Sequence, residues 1–345
     1  MSVTTTATIG SVNPAYVQRK GLDVAKPNLQ YGNFGQKVTV PQGYGKQFKA
    51  RRYEKFAPTT GKELANIRLL VEGATPSSVT PSITDITIAM SEYGFVTQFS
   101  SLTVWTNETS VDQELMARNS ENMAETLDCV YRDGVMGGTN LQRLTDNVGG
   151  VSGAARANVG GIINAKMLDK VIRNLKGANA KPFKAAAAAS TSIGTVGIRE
   201  SYVGIIHTDV EYDLENVPGY TSVNKYPSQS GLYPGEVGNY HNIRFVTSTL
   251  ATYYPDSGTT VAAVAGMQST TGTNNDVYAC LFLGMNAYAI PTLASSAKIT
   301  YIPNTTPDKF DPLGQWHSLG WYAVAGAGIL NQNWLLRSEV CASLT

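Results

Sequence analysis

From Lys37 the chain takes on a two-residue alternation: KVTV, turn residues Pro41, Gly43 and Gly45, then QFKARRYEKF over 47–56. In the second run Gln47, Lys49, Arg51, Tyr53 and Lys55 share one face, and Phe48, Ala50, Arg52, Glu54 and Phe56 the other. Neither face is apolar enough for a core, so this strand is expected to stand away from one. A second strand region, ITDITIAMSEYGFVTQFSSLTV (83–104), carries Ile83, Ile86, Ile88, Met90, Tyr93, Phe95 and Phe99 and is better suited to packing. The two are expected to pair as a long ribbon. Such a ribbon is marginal alone in water and needs a partner surface.

The strongest helical pattern follows, in TSVDQELMARNSENMAETLDCVYRD. Thr109 or Ser110 would cap it, and Asp112 and Glu114 suit its first turn. Val111, Leu115, Met123, Leu127 and Tyr131 fall on one row, while Arg118, Glu121, Glu125 and Asp128 mark an exposed face. Gly134 is expected to end it, giving about 22 residues and roughly 33 Å. A glycine-heavy excursion covers 134–161, and a second helix, AKMLDKVIRNLKGA, is closed by Gly177. The alanine run in FKAAAAASTSIGTVGI reads as helix or loop. YVGII, ACLFL and YAVAGAGIL read as buried strands. The mixture lacks regular strand–helix alternation, so the class is α+β.

Composition sharpens the picture. Charged residues make up 15% of the 345, against about 25% in an ordinary soluble domain. A surface so poor in charge points to contacts between subunits. Residues 1–62 carry a net +8 and the rest −7, so a basic N-terminal fifth and an acidic body could attract each other. Residues 1–35, rich in Thr, Asn and Gly, read as an extended arm. The three cysteines, Cys129, Cys280 and Cys341, form no metal or disulfide pattern, and the first residues lack the basic and apolar regions of a signal peptide. The longest apolar stretch, 321–330, is too short to span a membrane. A soluble protein made in a cytoplasm is expected.

Reactive chemistry is sparse. No nucleophile elbow, phosphate-loop lysine motif or HExxH is present, and GGVSGAARANVGG lacks the strand and lysine of a nucleotide loop. HTDVEYDLEN places His207, Asp209, Glu211 and Asp213 two residues apart. On a strand they would share a face and could bind a divalent cation. Alternatively, a buried strand ends at His207 and Asp209 caps a short helix. Asp311-Pro312 reads as a turn, and Trp316, Trp321 and Trp334 as packing residues. No catalytic, cofactor or metal residue is assigned. The basic run at 45–56, with Lys46, Lys49, Arg51, Arg52 and Lys55 among Phe48, Tyr53 and Phe56, remains open. It could be a strand meeting another protein, a grip on nucleic acid or, least in keeping with its pattern, a membrane-binding segment.

The order of these segments is distinctive. RRY (51–53), LVEGATP (70–76), EYG (92–94), YVGIIHTDVEYDLEN with Thr208 where proline is common, DVYACLFLGMNAYAI and DPLGQWHSLGWYAVAGAGILNQNWLLRSEVCAS together resemble the N-four-type podovirus coat proteins. That is a family of tailed-phage major capsid proteins, and the resemblance covers roughly residues 30–343. It implies the Hong Kong 97-type capsid fold: an N-terminal arm (1–35), an extended loop or E-loop β-ribbon with flanking strands (36–100), a peripheral domain with a long spine helix (101–149, the helix at 108–133), an axial domain (150–297) and C-terminal strands returning to the peripheral domain (298–345). It further implies self-assembly into hexamers and pentamers of an icosahedral shell, with a portal protein, scaffold or decoration proteins and packaged double-stranded DNA as partners, and no membrane, cofactor or chemical step. Lys46, Lys49, Arg51, Arg52, Tyr53, Lys55 and Glu72 would then be inter-subunit contacts, their cations meeting the acidic body of a neighbour. The alternative is a nucleic-acid-binding protein using the basic strand, and a less favoured one is a hydrolase built around His207.

Overall fold

The computed structural model describes residues 29–54, 72, 73, 75, 78, 80–106, 111–145, 155–183, 200–226, 232–294, 297–303, 307 and 311–344. The expected helix caps Thr109 and Ser110, the alanine run, Lys55 and most of the arm lie outside these residues. In chain order the strands are β1 (Gln36–Val40), β2 (Gln47–Tyr53), β3 (Ile83–Ala89), β4 (Ser91–Ser100), β5 (Leu141–Arg143), β6 (Tyr202–Ile206), β7 (Tyr220–Ser222) and β8 (Glu236–Tyr240). They continue with β9 (Ile243–Thr247), β10 (Tyr253–Tyr254), β11 (Val277–Leu283), β12 (Tyr288–Leu293), β13 (Lys298–Ile302), β14 (Trp316–Ala325), β15 (Gly328–Ile329) and β16 (Leu335–Val340). The helices are α1 (Tyr31–Phe34), α2 (Ser101–Thr106), α3 (Val111–Met136), α4 (Ala165–Gly177) and α5 (Glu211–Glu215). The fold is α+β, as expected.

The chain divides into two compact units. The larger holds Pro27–Tyr93, Ala124–Ala297 and Ala323–Thr345; the smaller holds Gly94–Met123 and Lys298–Tyr322.

In the larger unit β11 is central, antiparallel to both β16 and β6, with β9 parallel to β6 and the order β5-β16-β11-β6-β9-β8-β7. α4 lays Met167, Leu168, Val171, Ile172 and Leu175 on one sheet face, against Tyr202, Ile206, Phe245, Cys280, Phe282 and Leu336. The opposite face, with Val203, Ile205, Ala279 and Leu281, is covered by Tyr31, Phe34, Val135, Met136 and Tyr288. A sheet covered on both sides selects continuous apolar strands, which is why YVGII and VYACLFL carry no alternation. α4 begins where Asn164 Oδ1 accepts the N–H of Met167 at 2.9 Å.

Three local readings need correction here. α3 continues two residues past Gly134, because the missing side chain admits the Ala327 carbonyl; a Cβ there would lie 2.6 Å from that oxygen. Asp128, expected on the exposed face of α3, is buried and accepts the N–H groups of Gln30 (3.1 Å) and Gly32 (2.9 Å). It thereby fixes the start of the described chain, and Tyr288 adds a hydroxyl donated to the Tyr31 carbonyl. Burial raises the Asp128 carboxyl above its ordinary range, opposed by these N–H donors. Third, the strand Tyr202–Ile206 is followed by a 3₁₀ turn and α5, but the capping acceptor is His207 Nδ1, which receives the N–H of Asp209 at 3.2 Å.

In the smaller unit β13 pairs antiparallel with β14, from Lys298↔Tyr322 to Ile302↔Ser318, and β4 lies on the other side of β14. SLTV, read as strand, is instead helical in α2; Ser100 Oγ accepts the N–H of Thr103 and ends the extended run. Trp321 is buried and donates to Asn122 Oδ1 at 2.9 Å, and His317 stacks between Phe99 and Tyr301. Asp311 accepts the N–H of Trp316 at 2.7 Å and closes a turn at Gly314, as the Asp-Pro dipeptide suggested.

Candidate inter-subunit ribbon

β2 and β3 pair antiparallel over seven residues, Gln47↔Ala89 to Tyr53↔Ile83, and form a sheet of their own. The expected ribbon therefore exists, and its alternation is visible in exposure: Gln47, Lys49, Arg51 and Tyr53 face solvent, while Phe48, Ala50 and Arg52 are half-buried. β3 repeats this, with Ile83, Asp85, Thr87 and Ala89 outward and Thr84, Ile86 and Ile88 inward.

The inward face has a seat on its own chain, contrary to the expectation of a strand standing free. Phe48 packs against Val40, Met90 and Val324. Ile88 lies over Gly328, where a Cβ would come within 2.6 Å of its side chain, and the Ala89 carbonyl lies over Gly326. Both glycines serve close approach of the ribbon to the backbone beneath it. Four residues further out, Arg52 Nη1 donates to the Leu330 carbonyl at 3.1 Å.

The cations of the ribbon are neutralised largely within it. Asp85 Oδ1 accepts from Arg51 Nε at 2.8 Å, and its Oδ2 accepts from Arg51 Nη2 at 3.1 Å and lies 2.9 Å from Lys49 Nζ. Those hydrogen bonds, Arg51 first and Lys49 second, hold the Asp85 carboxyl well below the usual carboxylate range. Lys46 Nζ meets Glu92 at 2.8 Å. Arg52 Nε meets Glu54 at 2.7 Å, and Thr84 on the opposite strand donates to the same oxygen at 2.8 Å. These two donors lower the Glu54 carboxyl in turn. Four cations thus face three carboxylates. An array of free cations suited to tracking phosphates is absent from the described ribbon.

Of the residues singled out from sequence, Lys46, Lys49, Arg51, Arg52 and Tyr53 are brought together here. Glu72 is exposed in a turn with Gly73, and Lys55 lies outside the described residues. Tyr53 (68% exposed) and Ile83 (47%) sit opposite each other on the outer face as a bare apolar pair. Asp85, Glu92 and Leu330 were not foreseen. Asp85 is visible as the one acid in ITDITIA, but only the strand register places it between Lys49 and Arg51.

The His207 segment gathers no metal site, and among the described residues no three metal-ligating side chains converge. The turn and helix separate its acids: Asp209 accepts the Tyr278 hydroxyl at 2.8 Å, and Asp213 accepts both the N–H and hydroxyl of Ser343. Burial lowers the His207 pKa, with Asp209 opposing. No described helix is long and apolar enough to cross a membrane.

The fold is shared with solved phage capsid structures, in keeping with the Hong Kong 97-type fold that the sequence resemblance implies. The chain is similar to the capsid of Ralstonia phage GP4, with a TM-score of 0.65, 12% identity and 99% of each chain covered. It is similar also to the capsid of cyanophage P-SCSP1u (TM-score 0.61, 12% identity, 96% of this chain and 94% of that one). A third is the head of Helicobacter pylori bacteriophage KHP40 (TM-score 0.59, 13% identity, 100% and 98%). No family model and no curated protein sequence matches the chain.

Proposed function

We propose that this protein is the major capsid protein of a tailed bacteriophage, self-assembling as hexamers and pentamers into the icosahedral head shell that encloses double-stranded DNA. The supporting observation is likeness over essentially the whole chain to phage capsid and head structures, rather than to a fragment of them. We assign 1–35 as the arm, 36–100 as the E-loop with its flanking strands, 101–149 as the peripheral domain with its spine helix, 150–297 as the axial domain and 298–345 as the returning strands. The sequence motifs favour the N-four-type podovirus branch. Portal, scaffold or decoration proteins and the packaged genome would be the other partners, and the protein would reside in the virion after assembly in the host cytoplasm.

Assembly of this kind rests on many weak contacts repeated by symmetry. The outer face of the ribbon, with Lys46, Lys49, Arg51 and Tyr53, is the surface we assign to the neighbouring copy, and we assign Lys55 and Glu72 to the same contact. Exposed Tyr53 and Ile83 give that contact an apolar centre, and the Lys49–Asp85–Arg51 group gives it one excess positive charge. Sedimentation of the purified chain tests the proposal. Capsomers or shells should form without nucleic acid at moderate salt; a species that stays small and binds DNA with a steep salt dependence would overturn it.

A further inference from the structure

The inner and outer faces of the ribbon carry cations of different employment. Arg51 bonds within the ribbon, across it to Asp85 and along its own strand to Tyr53. Arg52, its neighbour, points to the other face and joins three things: Glu54 just past the end of its own strand, through Glu54 the Thr84 hydroxyl on the opposite strand, and the Leu330 carbonyl of the backbone beneath. Nearer the base, the seat consists of Phe48 in its small cluster and Ile88 and Ala89 over Gly328 and Gly326. Those contacts involve backbone and apolar surface close to the point where β3 turns into β4. They fix where the ribbon starts and leave its angle to whatever holds it further along. Arg52 lies four residues along β2 from Phe48, about 13 Å at strand rise. It carries a polar bond from the outer half of the ribbon to the body, to the Leu330 carbonyl.

We propose that Arg52 is a positioning latch that sets the angle of the ribbon on its own chain, and that the ribbon pivots about Gly326 and Gly328 when this latch is released. Glu54 and Thr84 orient the guanidinium, so that one nitrogen reaches the carbonyl while the others are held. The geometry also gives Arg51 and Arg52 separable roles, one within the ribbon and one beneath it. The latch belongs to a single chain and stands whether or not copies assemble.

Distance measurement by electron paramagnetic resonance tests it. Spin labels are placed at Thr87→Cys on the outer face of the ribbon and Arg173→Cys on the exposed side of α4, in a Cys129→Ser background that leaves only the buried cysteines. Labelled chains are diluted in unlabelled ones, so that only distances within one chain contribute. Arg52→Ala should make the distance distribution roughly two-fold broader, Arg52→Lys should broaden it less, and Arg51→Ala should leave it unchanged. A second label pair at Lys49→Cys and Thr87→Cys, directly opposite in the ribbon, should stay strongly dipolar-coupled in Arg52→Ala. An unchanged distribution in Arg52→Ala, equal broadening in Arg51→Ala, or loss of the cross-ribbon coupling would each overturn the latch.

Discussion

Glu339 offers the sharpest test of how the larger unit is held together. It lies fully buried on β16, and three guanidiniums converge on its carboxylate: Arg143 at 2.7 Å, Arg156 at 2.9 Å and Arg337 at 3.3 Å. Arg143 comes from β5, Arg156 from a 3₁₀ turn (Arg156–Asn158) inside the glycine-heavy stretch, and Arg337 from β16 itself; Arg156 also stacks over the Tyr254 ring at 3.5 Å. Replacing the carboxylate in Glu339→Gln keeps the shape and removes the charge, leaving the cations around a neutral amide. Breaking a buried ion pair in this way costs about 3–5 kcal/mol. For a cooperative transition of a chain this size that lowers Tm by about 4–7 °C. The pH dependence is a second signature. Burial alone would raise the Glu339 carboxyl, but Arg156 and Arg143 outweigh it and hold it below its ordinary value of 4.5. A carboxyl depressed in the folded state contributes stability that is complete above its unfolded value and is lost as pH falls through its folded one. The difference in Tm between the parent and Glu339→Gln, followed by calorimetry, should therefore be largest near neutrality and close on acidification below about pH 4.5. Equal Tm at neutral pH, or a gap that persists in acid, would refute the reasoning.

Other consequences can be checked more briefly. Asp128→Ala strands the buried N–H groups of Gln30 and Gly32, costing about 1–3 kcal/mol; hydrogen exchange at residues 30–32 should accelerate while α4 stays protected. Gly326→Val forces a side chain toward the Ala89 carbonyl, 2.5 Å from a Cβ at that position. Overpacking there should cost about 1–3 kcal/mol by denaturant melting, and an unchanged midpoint would show that the ribbon base has room to yield. Arg51→Glu sets two acids against each other across the ribbon; it should cripple assembly in sedimentation, and Asp85→Arg in the same chain should restore it in part. Rescue would fail if Arg51 contacts only the neighbour.

Sequence pattern reached the elements whose burial is simple. α4 is legible because one face alone is buried, and β6 and β11 because both of theirs are. The long α3 is legible as a helix, yet its buried side chains include Asn119 and Asp128, which hydrophobic periodicity cannot see. The ribbon was legible as two alternating runs, but its register was not. Tight hairpins fix register through their turn; Tyr53 and Ile83 are too far apart in sequence for a turn motif to give theirs. Without register, Asp85 could not be placed beside Lys49 and Arg51, and the ribbon's cations looked available for a neighbour. The Glu339 cluster escaped for a related reason: its arginines are scattered over nearly two hundred positions, and only the pairing of β5 with β16 and the fold of the Arg156 turn bring them together.

Copies of this chain are proposed to build a closed shell by self-association. Electron microscopy of the purified protein, concentrated in the absence of DNA, addresses it most directly. Rings of five or six copies, or closed icosahedral shells, are the predicted result, with the ribbon of each copy lying against the next. A population of monomers that persists at high concentration would contradict it.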